Sequence, residues 1–197
     1  VIQRNNIQKD ISVLDDLLNI IASGIGALTN PTKLENTFAS VKHKKVSDST
    51  ISKYLSDFID AFILRKANQY DIKGKKYINT PLKYYFTDVG LRNAQLNFRQ
   101  QEETHLMENV IYNELCIRGF NVDVGVVEYN HKDEDGKSKR AKLEVDFVAN
   151  KGNKRCYIQS AFAISGEEKR LQEINSLRRI NDSYKKIVVV RYHIIPW

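Results

Sequence analysis

The stretch Leu143-Glu144-Val145-Asp146-Phe147-Val148-Ala149, followed after a short turn by Tyr157-Ile158-Gln159-Ser160-Ala161, constrains the fold of this chain most. Both segments read as β-strands. Val145, Phe147 and Ala149 alternate with Glu144, Asp146 and Val148, the period-2 pattern of a strand. Glu144 and Asp146 therefore leave the strand on one side, and Lys142 lies on that side too. Acidic groups crowded on a strand repel one another unless a cation or hydrogen bonds compensate. Two readings are open: a solvent-facing or edge strand that carries charges, or a divalent-metal or phosphodiester site.

The remainder of the chain bears on that choice. Its 197 residues suffice for one large or two small domains, and 42% apolar with 28% charged residues excludes a disordered chain. The net charge of +7 favours an acidic partner, nucleic acid above all. Residues 1–90 hold 13 Lys and Arg against 9 Asp and Glu, and residues 91–197 hold 18 against 15. Neither half is a basic tail, so a nucleic-acid surface has to come from local clusters. The candidates are Lys42-His43-Lys44-Lys45, Lys73 to Lys76, and Lys137 to Lys142, each of which reads equally as a solvated loop. Cys116 and Cys156 lack CxxC spacing and read as reduced core residues, the usage of a cytoplasmic protein. No apolar run is long enough to span a membrane, so no membrane partner is expected. There is no GxxxxGK[ST] phosphate-binding loop. His43, His105, His131 and His193 are scattered without metal-ligand spacing.

In chain order, a helix is expected from about Lys9 to Ser23, with Ile11, Leu14, Leu17, Leu18 and Ile21 on one face and Gly24 and Gly26 ending it. Asn30-Pro31 opens a second helix, with Leu34, Thr37, Phe38 and Val41 as its buried stripe. A third, capped by Ser47 or Ser49, buries Ile51, Leu55, Phe58, Ile59 and Phe62 and shows Ser49, Thr50, Lys53 and Asp57 on its other side. Three such helices make a helix-turn-helix unit. Two β-like runs follow, Ile63 to Tyr70 and Lys75 to Asn79, joined by the turn Asp71 to Gly74. A hairpin in that position is the wing of a winged-helix domain, with Lys73, Lys75 and Lys76 at its tip. In a DNA-binding reading, Ser49, Thr50 and Lys53, flanked by Lys44 and Lys45, meet the major groove of double-stranded DNA, and the wing touches phosphate. The other reading is a protein-interaction or linker module.

Lys83 to Asp88 reads as a short buried strand and Val89 to Phe98 as a short helix, which puts a domain boundary near residue 90. A helix from about Glu103 to Gly119 has Leu106, Val110, Ile111, Leu115 and Ile117 as apolar members and Glu108, Asn109, Tyr112 and Glu114 as polar ones. Strands Asn121 to Tyr129, Lys139 to Ala149 and Arg155 to Phe162 follow, the first two joined by a turn containing Asp135-Gly136. A helix from Glu167 to Ile180 and an apolar strand from Ile187 to Tyr192 complete a mixed α/β arrangement.

That order resembles the core of the PD-(D/E)XK (restriction-endonuclease-like) fold, in which a helix Glu, a strand Asp and an (E/D)-X-K on the next strand gather around divalent metal. On this resemblance Glu108 and Asp146 are the candidate Mg²⁺ ligands, and Gln159 stands where the second acid would be. Hard carboxylate oxygens suit Mg²⁺, which polarises phosphate and activates water. Ala161 stands where the Lys would stabilise developing charge, which implies a degenerate site and a fragment without catalysis of its own. Lys142 and Glu144 are the remaining candidates for an active site.

A wider pattern is more specific. Ser23-Gly24-Ile25-Gly26, Thr50 to Leu55, Pro81-Leu82-Lys83-Tyr84-Tyr85-Phe86-Thr87-Asp88-Val89-Gly90-Leu91, Glu108-Asn109-Val110-Ile111-Tyr112-Asn113-Glu114-Leu115, Glu144 to Val148, Tyr157 to Ser160 and Gln172-Glu173-Ile174 occur in order. Together they resemble the C-terminal region of a family of prokaryotic AAA+-type ATPases. The resemblance implies a winged-helix domain over 1–90 and a nuclease-like domain of unknown function over 91–197, truncated at its C-terminus. ATP binding would then belong to an absent N-terminal domain, which would be a partner of this one; oligomers are compatible with it. Three functions are expected to compete: a DNA-binding or partner-positioning module of an ATPase, a Mg²⁺-dependent endonuclease, and a protein-interaction scaffold.

Overall fold

The computed structural model describes residues 11–99, 102–132 and 136–192. Residues 1–10, Asp135 and His193 lie outside them. The fold is mixed α/β, with six α-helices and six strands among the described residues: α1 Ile11–Ser23, α2 Pro31–Thr37, α3 Asp48–Asp60, β1 Leu64–Asp71, β2 Lys76–Phe86, α4 Val89–Gln95, α5 Glu103–Ile117, β3 Asn121–Lys132, β4 Ser138–Lys151, β5 Lys154–Ala161, α6 Glu167–Arg178 and β6 Lys185–Val190. The strands are ordered β2-β1-β3-β4-β5-β6. β3, β4 and β5 form an antiparallel meander, whereas β1 joins β3, and β6 joins β5, in parallel. The chain divides into two compact units that interleave along the sequence: Val1–Ala67 with Thr80–Asn109, and Asn68–Asn79 with Val110–Trp197. The crossings lie within the β1–β2 hairpin and within α5, and residue 90 falls inside the first unit.

In the first unit, Leu14, Leu17 and Ile21 of α1 pack with Leu34, Phe38, Ile51, Leu55 and Phe58 into one core that also takes Leu64, Tyr84 and Phe86. Asn30 caps α2 as its sequence indicates, accepting from the Lys33 amide at 2.7 Å, and Ser47 rather than Ser49 caps α3. A π-helical turn, Phe38–Lys42, continues α2 and moves Val41 out of the expected stripe to 63% exposure. Phe62, expected inside, lies beyond the end of α3 and is exposed, whereas Asp57, expected on the polar side, is buried. Lys83 to Phe86 is not a separate strand: β2 runs unbroken from Lys76, through the cis Thr80–Pro81 bond, to Phe86. Arg92 of α4 is fully buried and donates its Nε–H to the carbonyl of Ala22, so a cation closes the C-terminal turn of α1.

In the second unit, Val127, Val145, Val148, Tyr157, Leu177 and Ile180 form the core. β4 is a central strand, and Val145 to Ala149 are all buried. Its alternation therefore marks two covered faces rather than one wet face. Gly125 of β3 is required by close packing: a Cβ there would come within 2.8–2.9 Å of Ile72, Val145 and Val148 side chains. β6 is the edge strand of the order and is half-buried, not fully buried as its apolar run suggests.

Candidate functional site

The carboxylates expected to share one site belong to different units, Glu108 to the first and Asp146 to the second. Glu108 is buried on α5, and its Oε1 accepts from Lys83 Nζ at 2.9 Å and from the Tyr85 hydroxyl at 2.6 Å. Lys83 and Tyr85 alternate along β2 and so present both donors on one side of the strand. The neighbouring Asn109, fully buried, accepts from the Phe86 amide at 2.9 Å and donates to the Phe86 carbonyl at 2.8 Å. Its carboxamide thus pairs with β2 as another strand would. Gly26, with φ of 73°, lies against the Glu108 carboxylate, where a Cβ would meet Oε2 at 3.2 Å. The Ser23-to-Gly26, Pro81-to-Leu91 and Glu108-Asn109 segments therefore meet in one buried polar knot.

That knot inverts the expectation for α5. Glu108, Asn109 and Tyr112 are buried, whereas Val110 and Ile117 are 53% and 76% exposed. The apolar count of a helix does not set its inward face when buried polar groups find full partners. Sequence reasoning passed over Lys83 and Tyr85 as core strand residues. The available signal was a Lys and a Tyr at alternate positions of an otherwise apolar strand.

Asp146, on β4, accepts three hydrogen bonds from β5. Its Oδ1 takes Gln159 Nε2 at 3.0 Å, and its Oδ2 takes the Ser160 amide and the Ser160 hydroxyl, each at 2.7 Å. Gln159 Oε1 turns back to accept from the Asp146 amide at 3.4 Å and from Ser176 of α6 at 3.3 Å. An acid at 159 would face Asp146 with like charge and need a cation between them. Gln159 instead brings a donor. Ser160 is a principal partner of Asp146. Lys142 pairs with Glu128 on β3 at 3.1 Å, at the exposed end of the hairpin, so its ammonium is engaged away from position 146.

Among the described residues no three of His, Cys, Asp or Glu are grouped to hold a metal ion. The residues present do not suit Mg²⁺: Gln159 aims N–H, not oxygen, at Asp146, and Lys83 and Tyr85 already hydrogen-bond Glu108.

The basic candidates differ in availability. Lys44 is bound to Asp16 at 2.8 Å, and Lys42 reaches the same carboxylate at 2.6 Å. Hydrogen bonds from Lys42 and then Lys44 hold the Asp16 carboxyl below the usual range. Thr50 and Ser49 hydroxyls lie 2.9 and 3.0 Å from Ser47 Oγ in the cap of α3. Lys45 and Lys53 are exposed and have no ion-pair partner among the described residues. Lys73, Lys75 and Lys76 are likewise exposed and unpaired at the hairpin turn, which Asp71 fixes by accepting from the Gly74 amide at 2.9 Å. The hairpin does not end free: β1 pairs with β3 through Gln69↔Val124 and Asp71↔Val126.

Residues 2–102 match the family described as Domain of unknown function (DUF8612). The chain belongs to that family. The match takes in α1 to α4 and the first two strands and stops before Glu108. An "Uncharacterized protein" of Haemophilus influenzae is 37% identical over 181 residues, 92% of this chain and 41% of its own length. "Uncharacterized protein MJ1544" of Methanocaldococcus jannaschii is 30% identical over 193 residues, 95% of this chain and 37% of its own length. The family thus has relatives in prokaryotes, and the chain spans about two fifths of their length. The crystal structure of protein VC1899 from Vibrio cholerae aligns with 92% of this chain and 48% of its own at 15% identity, with a TM-score of 0.30, too low to define a shared fold. No described helix is long and apolar enough to cross a membrane.

Proposed function

We propose that this chain is a nucleic-acid-binding, non-catalytic module of a larger protein. The observation that carries the reading is a contrast between its charges. The candidate acids are turned inward onto protein donors, Glu108 onto Lys83 and Tyr85, and Asp146 onto Gln159 and Ser160. The lysines at 45, 53, 73, 75 and 76 are exposed and unpaired. Free cations on a protein of net charge +7 attract phosphate, and acids engaged in this way hold structure rather than metal. Within this proposal, α3 of the first unit acts as a recognition helix for double-stranded DNA, and the lysines of the β1–β2 turn, which belong to the second unit, are a separate phosphate-binding patch. The second unit serves as a nuclease-like scaffold without cleavage, and the larger protein is of the AAA+ ATPase kind suggested by the ordered motifs. The length of the relatives is consistent with a further domain of that size.

Binding of a labelled 30-base-pair duplex, followed by anisotropy, tests the reading. Affinity is expected to fall with salt at about 0.9 log units per log unit for each phosphate contact, and to drop on charge reversal of Lys45 and Lys53. Plasmid DNA is expected to stay intact in Mg²⁺ and in Mn²⁺. Cleavage that disappears in Asp146→Ala would establish the nuclease instead. Absence of binding at low salt would leave a protein-interaction scaffold.

A further inference from the structure

The second unit contains a cavity of about 350 Å³ between the β1–β2 turn, the β4–β5 turn and the segment before β6. Lys75, Asn153, Lys154, Arg155 and Tyr184 line it. Lys75 and Lys154 are exposed and have no ion-pair partner among the described residues. The carboxylate in the lining, Asp182, accepts from the Tyr157 hydroxyl at 2.6 Å and from the Tyr184 amide at 3.1 Å, and Lys186 Nζ lies 3.6 Å from it. These contacts fix the Tyr184 segment and hold Asp182 to partners other than Lys75 and Lys154.

Aromatic rings continue the surface. The Arg155 guanidinium lies between two tyrosines, 5.1 Å from the Tyr70 ring centre and 5.6 Å from that of Tyr184. Its Nε–H is held by Asn150 Oδ1 at 2.6 Å. Tyr77 packs edge-on against Tyr70 with ring centres 5.3 Å apart. The row Tyr77, Tyr70, Arg155, Tyr184 thus ends at both sides in a ring that is open to solvent, at 61% and 44% exposure. Lys73 and Lys76 flank Lys75 at the turn.

Unpaired ammonium groups beside exposed, immobilised rings match a phosphate backbone with unstacked bases. A cavity of this size admits one nucleotide and excludes a paired base, whose faces and edges are covered in a duplex. The row and the flanking lysines extend past the cavity, so the matching ligand is longer than one nucleotide. We propose that the second unit binds single-stranded nucleic acid here, with a phosphate on Lys75 and Lys154 and a base against Tyr184. The inference rests on the nucleic-acid reading above; it shares the lysines of the β1–β2 turn with that reading but uses no residue of α3.

The test is anisotropy of the full chain with a labelled oligo-dT of about 20 nucleotides, against a duplex of equal length and against free thymidine monophosphate. The single strand is expected to bind more tightly than the duplex. Lys75→Glu with Lys154→Glu is expected to weaken it at least tenfold and to lower the salt slope by about 1.4, two contacts at about 0.7 each. Tyr184→Ala should weaken it about fivefold or more, while Tyr184→Phe retains binding. Lys53→Glu should change single-strand binding little. Circular dichroism checks that each variant folds. If the duplex binds more tightly and only Lys53→Glu reduces binding, this site is refuted while the α3 reading survives. If thymidine monophosphate competes as well as the strand per nucleotide, the site is for a free nucleotide and the strand assignment falls. If neither nucleic acid binds at low salt, both readings fail.

Discussion

Removing Lys83 tests whether Glu108 is a structural acid. The pair is buried on both sides, with side-chain exposures of 4% and 10%, and its atoms are 2.9 Å apart. Lys83→Met removes the cation and leaves a carboxylate held by the Tyr85 hydroxyl. Breaking one partner of a buried pair costs about 3–5 kcal/mol, because the surviving charge keeps its desolvation penalty. For a chain of this size, where about 1 kcal/mol corresponds to 2–4 °C, melting should fall by roughly 6–20 °C. Glu108→Gln placed in the same variant removes the charge but keeps an acceptor for Tyr85 and the shape that Gly26 packs against. The double variant should therefore recover most of the loss. Thermal and urea unfolding of the four proteins give the coupling energy directly. A loss below about 1 kcal/mol, or a double variant as unstable as the sum of the singles, refutes a structural ion pair.

Three further outcomes are expected. Gln159→Glu sets a second carboxylate against Asp146 and should lower stability at neutral pH, with Mn²⁺ restoring it; melting curves with and without metal measure this, and an unchanged melting temperature refutes the donor role of Gln159. Burial raises the Asp123 carboxyl above its ordinary range despite the Tyr77 hydrogen bond. A raised folded-state carboxyl makes the protein lose stability as pH climbs through that group's titration, so Asp123→Asn should stabilise at neutral pH and converge with the native protein in acid, as a pH series of melts would report. Asn109→Ala removes the side-chain partner of both the Phe86 amide and the Phe86 carbonyl and should cost about 1–3 kcal/mol, measurable by urea unfolding.

Much of the secondary structure was legible from local chemistry. The caps at Asn30 and Ser47 and the alternation of β4 depend only on neighbouring residues, and the structure forms the corresponding elements. The strand-helix-strand order likewise implied a mixed α/β fold. What the sequence by itself determined was thus element type and order, together with the surface charge available for a partner. Tertiary structure alone decided which faces are buried and what each acid does. α5 turns Glu108 and Asn109 inward because Lys83, Tyr85 and the Phe86 backbone, more than twenty residues earlier, supply their hydrogen bonds. Asp146 is buried because Gln159 and Ser160 arrive on the adjacent strand with donors. Arg155 gains its aromatic neighbours only when β1, β2 and the segment before β6 converge on it. Hydrogen-bond satisfaction and charge compensation depend on contacts distant in sequence, so a local pattern can nominate a polar residue but cannot say whether its partner is protein, metal or phosphate.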